Sequence, residues 1–315
     1  MRPLHPVSPL VAVVGPTGTG KSELALRIAD EFHGEVVNCD SLQLYRYFDI
    51  GTAKLPLEER RGIPHHLLDI LDPDETFSAG EFARRARATL REIASRGELP
   101  VVVGGTGFYL RALLEGLFAG PERDEALRER LIERERRRPG SLHKLLGRFD
   151  PGSLQRIHER DVQKTIRALE VCLAARRPMS QMFAGGREPL EGFRVLKLGL
   201  DPPRQDLYRR LDDRCKYMFE HGLLEEVQSI LARGFAASGK PFESVGYKQA
   251  LQLLRGELTL NEAIESAQRN TRRYAKRQWT WFRKERELQW LSGFGAEEAT
   301  QAIAVTKVSD FLRYN

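Results

Sequence analysis

The chain has 315 residues and a mass of 35.9 kDa, with 50 Lys+Arg against 44 Asp+Glu, a formal net charge of +6 and a pI of about 9.3. Its 41 % apolar content suffices for one large domain with an insertion or for two domains, which excludes a peptide, a disulfide mini-scaffold and an acidic disordered tail. Cys39, Cys172 and Cys215 are scattered without a CxxC pair, and the apolar run at 10–14 stops at Gly15, so a reducing cytoplasm and no membrane partner are expected.

From residue 10 to about 118, short β-branched runs alternate with longer helical periods, the pattern of βαβ units. Residues 10–14 read as a buried strand, 21–32 as a helix, 35–38 as a second strand, 81–96 as a helix and 101–103 as a third strand. Runs this apolar predict parallel strands covered on both faces. Residues 121–192 change character: 123–138 is densely charged, 141–149 is short and amphipathic, and 161–177 sets Ile166, Leu169, Val171 and Leu173 among basic residues. This stretch reads as a helical insertion within an α/β core formed by 1–120 and 193–315. The apolar segment 193–200 returns to the sheet, and Asp201-Pro202-Pro203 breaks the chain before further helices. The last long helix is expected to start at Thr259, where Thr259 and Glu262 have capping-box spacing, and to run towards Arg286. Along it Arg269, Arg272, Arg273, Lys276 and Arg277 recur every three to four residues and share one face.

Gly15-Pro16-Thr17-Gly18-Thr19-Gly20-Lys21-Ser22 matches GxxxxGK[ST] between a predicted strand and a predicted helix. The glycines let backbone N–H groups converge on phosphate oxygens, the helix N-terminus adds positive potential, Lys21 reaches the outer phosphate and Ser22 can hold Mg²⁺. The same cradle serves NTP hydrolysis, kinase chemistry and reactions in which diphosphate leaves. A motor ATPase needs a second Mg²⁺ anchor, usually an acid ending an apolar strand, but residues 101–103 run into Gly104-Gly105-Thr106-Gly107 instead. Asp40 closes the second strand, where open α/β sheets bind substrate, and its carboxylate can accept a proton from an acceptor group or cap a turn before Ser41.

These residues, with Asp40-Ser41-Leu42-Gln43, Tyr45, Asp49-Ile-Gly-Thr-Ala-Lys54, Pro64-His-His-Leu-Leu-Asp69, Val103-Gly-Gly-Thr106, Tyr109, Arg167-Ala-Leu-Glu-Val171, Val245-Gly-Tyr247 and Ala275-Lys-Arg-Gln278, closely resemble the tRNA dimethylallyltransferase family in order along almost the whole chain. The resemblance implies a P-loop NTPase-like sheet, transfer of a dimethylallyl group from dimethylallyl diphosphate to N6 of adenosine 37 beside the anticodon, and Mg²⁺ as the assisting ion. It implies that Gly15, Pro16, Thr17, Gly18, Thr19, Gly20, Lys21 and Ser22 hold the diphosphate, that Thr106 and Arg214 assist, and that Asp40 accepts from adenine N6. Asp40, Ser41, Leu42, Gln43 and Thr106 would frame the extruded base. Arg128, Gln163, Lys164, Thr165, Ile166 and Arg167 would grip the anticodon arm from the insertion, and Lys276, Arg277 and Arg283 from the last helix. Position 164 is Lys where relatives often carry Arg, which turns a bidentate contact into a single one. Trp279, Trp281 and Phe282 suit base stacking or core packing alike. Adjacent His65 and His66 lack a third ligand at useful spacing, so they are expected to be structural. The family is expected to act as a monomer on the tRNA anticodon stem-loop. An adenylate isopentenyltransferase, a small-molecule P-loop kinase and an RNA-binding NTP sensor share parts of this pattern.

Overall fold

The computed structural model describes residues 7–313 apart from 119, 122 and 185. In chain order it comprises β1 (Ser8–Val14), α1 (Lys21–Glu31), β2 (Gly34–Asn38), β3 (His65–His66), α2 (Ala79–Ser95), β4 (Leu99–Gly104), α3 (Gly107–Leu114), α4 (Glu125–Arg137), α5 (Ser141–Phe149), α6 (Pro151–Leu154), α7 (Val162–Ala175), α8 (Met179–Ala184), β5 (Phe193–Leu200), α9 (Arg204–Glu220), α10 (Leu223–Ala232), α11 (Tyr247–Leu254), α12 (Leu260–Phe282), β6 (Leu288–Leu291) and α13 (Glu298–Arg313). Among the described residues, no helix is long and apolar enough to cross a membrane.

The chain separates into two compact units, one running to Leu114 and resuming at Leu190, the other spanning Glu115–Pro189. The first holds a six-stranded sheet in the order β3-β2-β4-β1-β5-β6 with every pairing parallel. Its strands are buried because Val, Leu and Ala fill both faces: Leu10, Val11, Ala12 and Val13 on β1, and Val101 and Val102 on β4, expose nothing. On one side Leu24, Ile28, Leu198, Ala304 and Val308 join this core, each buried Leu, Ile or Val side chain contributing about 1.5–3 kcal/mol. The central strand β1 has β4 on one side and β5 on the other, so the connections leave it in opposite directions. That arrangement opens a crevice at the carboxyl ends of the strands.

The capping box at the start of α12 forms as its spacing predicts, Thr259 Oγ1 accepting from the Glu262 N–H at 3.3 Å and Glu262 Oε2 from the Thr259 N–H at 2.8 Å. The helix ends at Phe282, four residues short of the expected Arg286. The chain then adds β6 to the sheet edge and α13 to its face, neither of which the sequence pattern signals.

The second unit, α4 to α8, packs around Leu131, Leu142, Leu146, Ile166, Leu169 and Met179. Asp150 staples it from within: wholly buried, it accepts from the backbone N–H groups of Ser153 and Ser180 at 3.0 and 2.8 Å and from both their hydroxyls.

Candidate active site

The loop 15–20 links β1 to α1 at the crevice. Gly20 has φ +85°, a left-handed conformation that costs glycine nothing, and it turns the chain so that α1 begins with its N–H groups directed back at the loop. Thr19 is buried and its hydroxyl donates to the Pro16 carbonyl at 2.9 Å; Lys21 Nζ donates to the same oxygen at 2.6 Å. Enclosure pushes the Lys21 ammonium down to about 8, with Asp40 opposing that shift and Arg214 reinforcing it. The loop therefore carries a cation that gains from an anionic ligand. Ser22 is partly exposed at the first turn of α1.

Arg214 reaches this loop from α9, donating through Nη2 to Thr17 Oγ1 at 2.8 Å. Its Nε is buried without an acceptor among the described residues, and burial pushes the guanidinium down. A buried donor of this kind asks for a ligand acceptor.

Asp40 follows β2 and is oriented by Asn38, whose Oδ1 accepts from the Asp40 N–H at 2.9 Å and whose Nδ2 donates to the Asp40 carbonyl at 3.1 Å. One carboxylate oxygen accepts from the Leu42 N–H at 2.9 Å. The turn-capping role open to Asp40 is thus real, and it leaves the second oxygen for other work. The charge of Asp40 is felt by Lys21 and Tyr274 and, more weakly, by Arg214 and Tyr109. Thr106, after β4, accepts from the Ser41 N–H at 3.1 Å through Oγ1, joining the ends of β2 and β4. Gln43 donates through Nε2 to the Thr52 carbonyl at 3.2 Å and fixes the strip from residue 40 to 54. That strip is anchored twice more. Lys54 is buried with Nζ donating to Asp49 and Asp69, each at 2.6 Å, and Glu226 on α10 accepts from the N–H groups of Asp49 and Ile50 at 3.0 and 2.7 Å.

Sequence reasoning gives no role to Gln278, Tyr274 or Glu226. Gln278 is visible as part of the Ala275–Gln278 tetrapeptide, but its partners are far away in the chain. Burial, and after it the charge of Asp40, push the Tyr274 phenol up, so it stays protonated.

On α12, Arg269, Arg273, Lys276 and Arg277 are exposed on one face, as their spacing predicts. Lys276 and Arg277, with Arg111, Thr280, Trp281 and Lys284, line an open groove of about 350 Å³. Arg272 departs from this face, paired to Asp212 on α9. Arg283 is exposed but bonded to Asp201 at 2.9 Å. Trp279 and Phe282 are buried core residues. Trp281 packs under Arg111, whose guanidinium lies 4.3 Å from the ring centroid.

In the helical unit the expected RNA-gripping residues divide. Gln163 and Lys164 are exposed at the start of α7, Lys164 paired to Asp161 at 2.5 Å. Thr165 and Ile166 are buried at 1 % and 0 % exposure, so their side chains hold α7 to its own core and offer no surface. Arg128 and Arg167 are turned to the wholly buried Glu170, at 3.0 and 2.6 Å, and Arg167 also donates to the Pro121 carbonyl at 3.0 Å. Burial alone would raise the Glu170 carboxyl, but the two arginines and the Asp124 N–H bring it below its ordinary value. These cations brace the unit. Exposed and without a carboxylate partner among the described residues are instead Arg134, Arg138, Lys144 and Arg148, which line a groove of about 300 Å³ between α4 and α5.

His66 Nε2 meets Glu35 at 2.5 Å and His65 Nδ1 the Ile63 carbonyl at 2.8 Å; Arg96 completes the Glu35 cluster, which holds the sheet edge.

A parallel sheet with a phosphate loop at the carboxyl end of its central strand defines a phosphate-loop α/β protein. The family model described as IPP transferase matches residues 43–285. The tRNA dimethylallyltransferase of Solibacter usitatus is 66 % identical over 304 residues, 96 % of this chain and 99 % of the relative, and that of Koribacter versatilis is 54 % identical over 95 % and 98 %. Among solved structures, a tRNA delta(2)-isopentenylpyrophosphate transferase from Staphylococcus epidermidis is 33 % identical with a TM-score of 0.70, covering 98 % of this chain and all of that one. A eukaryotic dimethylallyltransferase acting on tRNA is 29 % identical with a TM-score of 0.83, covering 97 % of this chain and 80 % of that one. This chain belongs to the tRNA dimethylallyltransferase, or IPP transferase, family.

Proposed function

We propose that this protein transfers the dimethylallyl group of dimethylallyl diphosphate to N6 of adenosine 37 in tRNA, releasing diphosphate. The observation that carries the reading is the convergence of Lys21 and Arg214, whose buried Nε has no acceptor among the described residues, on the loop 15–20 beside the Asp40 carboxylate. An anion with several oxygens suits the first group, and an amine that must lose a proton suits the second. The C1–O bond of the donor breaks with its electron pair going to diphosphate, where the loop N–H groups, Lys21 and Arg214 are already aimed. N6 of the extruded adenine forms the new bond to C1, and its proton passes to the free oxygen of Asp40. Thr106 and Tyr274 line the same point and orient the amine.

Ser22 supplies a hard hydroxyl oxygen at the start of α1, the kind of ligand Mg²⁺ takes alongside phosphate and water oxygens. When bound, the ion neutralises charge developing on the leaving diphosphate. The acceptor's backbone would lie against the exposed cations of α12 and of the α4–α5 groove, with Gln163 and Lys164 at the start of α7. One chain supplies the loop, Asp40 and Thr106, so a monomer suffices, and a tRNA acceptor places the work in the cytoplasm.

The test is mass spectrometry of tRNA nucleosides after incubation with dimethylallyl diphosphate and Mg²⁺. N6-dimethylallyl adenosine appearing in step with diphosphate release is expected; prenyl donor consumed without modified adenosine, or ATP turned over with no prenyl donor required, would sink the proposal.

A further inference from the structure

We infer that Gln278 is a positioning residue for the donor's diphosphate: its buried amide ties the phosphate loop to the glycine turn after β4, so that α12 holds the shape of the loop. Gln278 follows the exposed Lys276 and Arg277 on α12, yet it is only 5 % exposed and faces inward. The Thr17 N–H donates to its Oε1 at 2.8 Å, and its Nε2 donates to the Gly105 carbonyl at 2.8 Å. The first partner lies 261 residues away and the second 173, one on the loop after β1 and the other on the turn after β4. Because one end of the amide meets a donor and the other an acceptor, both ends are matched to their partners.

Thr17 is therefore held from two sides, its N–H by Gln278 and its hydroxyl by Arg214. The fit at Gly105 is close enough to exclude a side chain: a Cβ there would stand 2.3 Å from Gln278 Nε2. A polar residue on the buried face of a helix, with both its partners on loops that frame the reacting groups, has more to do than pack. A loop that binds diphosphate through converging N–H groups works only if its geometry is set before the ligand arrives. Without the amide, the part-buried Thr17 N–H and the buried Gly105 carbonyl would be left unpaired, and the loop would shift to rehydrate them. The N–H groups of residues 18–22 and the Arg214 guanidinium would then lose their common aim.

This inference rests on the reading of the loop as the diphosphate site, and the experiment separates the two. Calorimetric titration of the full chain with inorganic diphosphate and Mg²⁺ is run alongside tRNA binding and steady-state transfer. For Gln278→Met, diphosphate affinity is expected to fall roughly ten- to hundredfold, the range for leaving buried polar groups unpaired, with a matching rise in KM for the prenyl donor. Affinity for tRNA should stay within about twofold of the parent. Gly105→Ala, which pushes on the same amide from the opposite side, should give the same selective loss, and it covers the case in which Gln278→Met does not fold. A folded variant that binds diphosphate as the parent does overturns the inference. So does an equal loss of diphosphate and tRNA affinity in both variants, because Gln278 would then only support the fold. A parent chain that fails to bind diphosphate overturns the reading of the loop itself.

Discussion

The two units treat their arginines in opposite ways. In the unit that carries the sheet, half-buried Arg214 holds its Nε away from solvent with no acceptor among the described residues, beside Lys21, whose ammonium enclosure has already pushed down to about 8. In the helical unit, Arg128 and Arg167 are bonded to one wholly buried carboxylate, Glu170. Both arrangements bury charge, but one is incomplete and the other closed. An incomplete set is completed by a ligand, whereas a closed set braces a scaffold, so the number of arginines in a stretch says less than how each is satisfied.

The contrast can be broken most sharply at Asp40. Asp40→Ala should retain tRNA affinity and lose prenyl transfer by about 10²- to 10⁴-fold, the usual contribution of a positioned base; near-normal turnover of the purified variant would remove it from the chemistry. Next is Glu170→Ala, which leaves two inward-facing guanidinium groups without their counter-charge and should destabilise the helical unit by about 3–5 kcal/mol in denaturant titrations. If Glu170→Ala left stability unchanged and altered only tRNA binding, Arg128 and Arg167 would belong to the interface after all. A smaller effect is expected from replacing Arg134, Arg138, Lys144 and Arg148 together by Gln. Such a variant should fold normally, and the slope of log affinity for tRNA against log salt should flatten by about 0.7–0.9 for each phosphate no longer neutralised. An unchanged slope would clear the α4–α5 groove of any part in RNA binding.

The mildest test is pH. Lys21 has a lowered pKa, so without ligand it is charged below about 8 and neutral above it. Diphosphate favours the charged form, so its affinity should decline as pH rises through about 8, by at most about tenfold per unit for one proton. Lys21→Met should bind weakly and lose that decline. The sign for folding is the reverse: a depressed lysine disfavours the folded chain while it is charged, so this cost eases as pH rises from about 8 towards the ordinary lysine value of 10.5.

Much of the sheet is legible in the sequence because β1, β2, β4 and β5 are short apolar runs set off by turn residues and helical periods. β6 escapes such a reading because Leu288–Leu291 is four residues long and follows directly on a basic helix. α13 escapes it because its apolar residues do not form one stripe: Ala304 and Val308 are buried while Ile303 is 49 % exposed. The phosphate loop and Asp40 are legible because their chemistry is local, with donors and acceptors a few residues apart. The pairing of Arg128 with Glu170 is not, since 42 residues separate them and nothing in a basic stretch tells which cations turn inward. The same holds for Gln278, whose two bonds exist only after the sheet has brought the loops together.

The place of β5 also bears on how the chain is made. It lies against β1 in full register, Ser8 beside Phe193, so the centre of the sheet needs two segments separated by the whole of Glu115–Pro189. During synthesis β1 to β4 emerge first and can pair only among themselves, leaving one edge of β1 unprotected until β5 arrives. The intervening unit is assembled from contiguous helices with a core of its own, so it can form locally and quickly in the meantime. Its boundaries end side by side, the Leu190 N–H donating to the Leu114 carbonyl at 2.9 Å. A folded insert with adjacent ends delivers β5 close to its place and shortens the loop that must be closed. Variants that unfold the helical unit should therefore slow refolding of the sheet as well, through a longer search and a longer exposed strand edge.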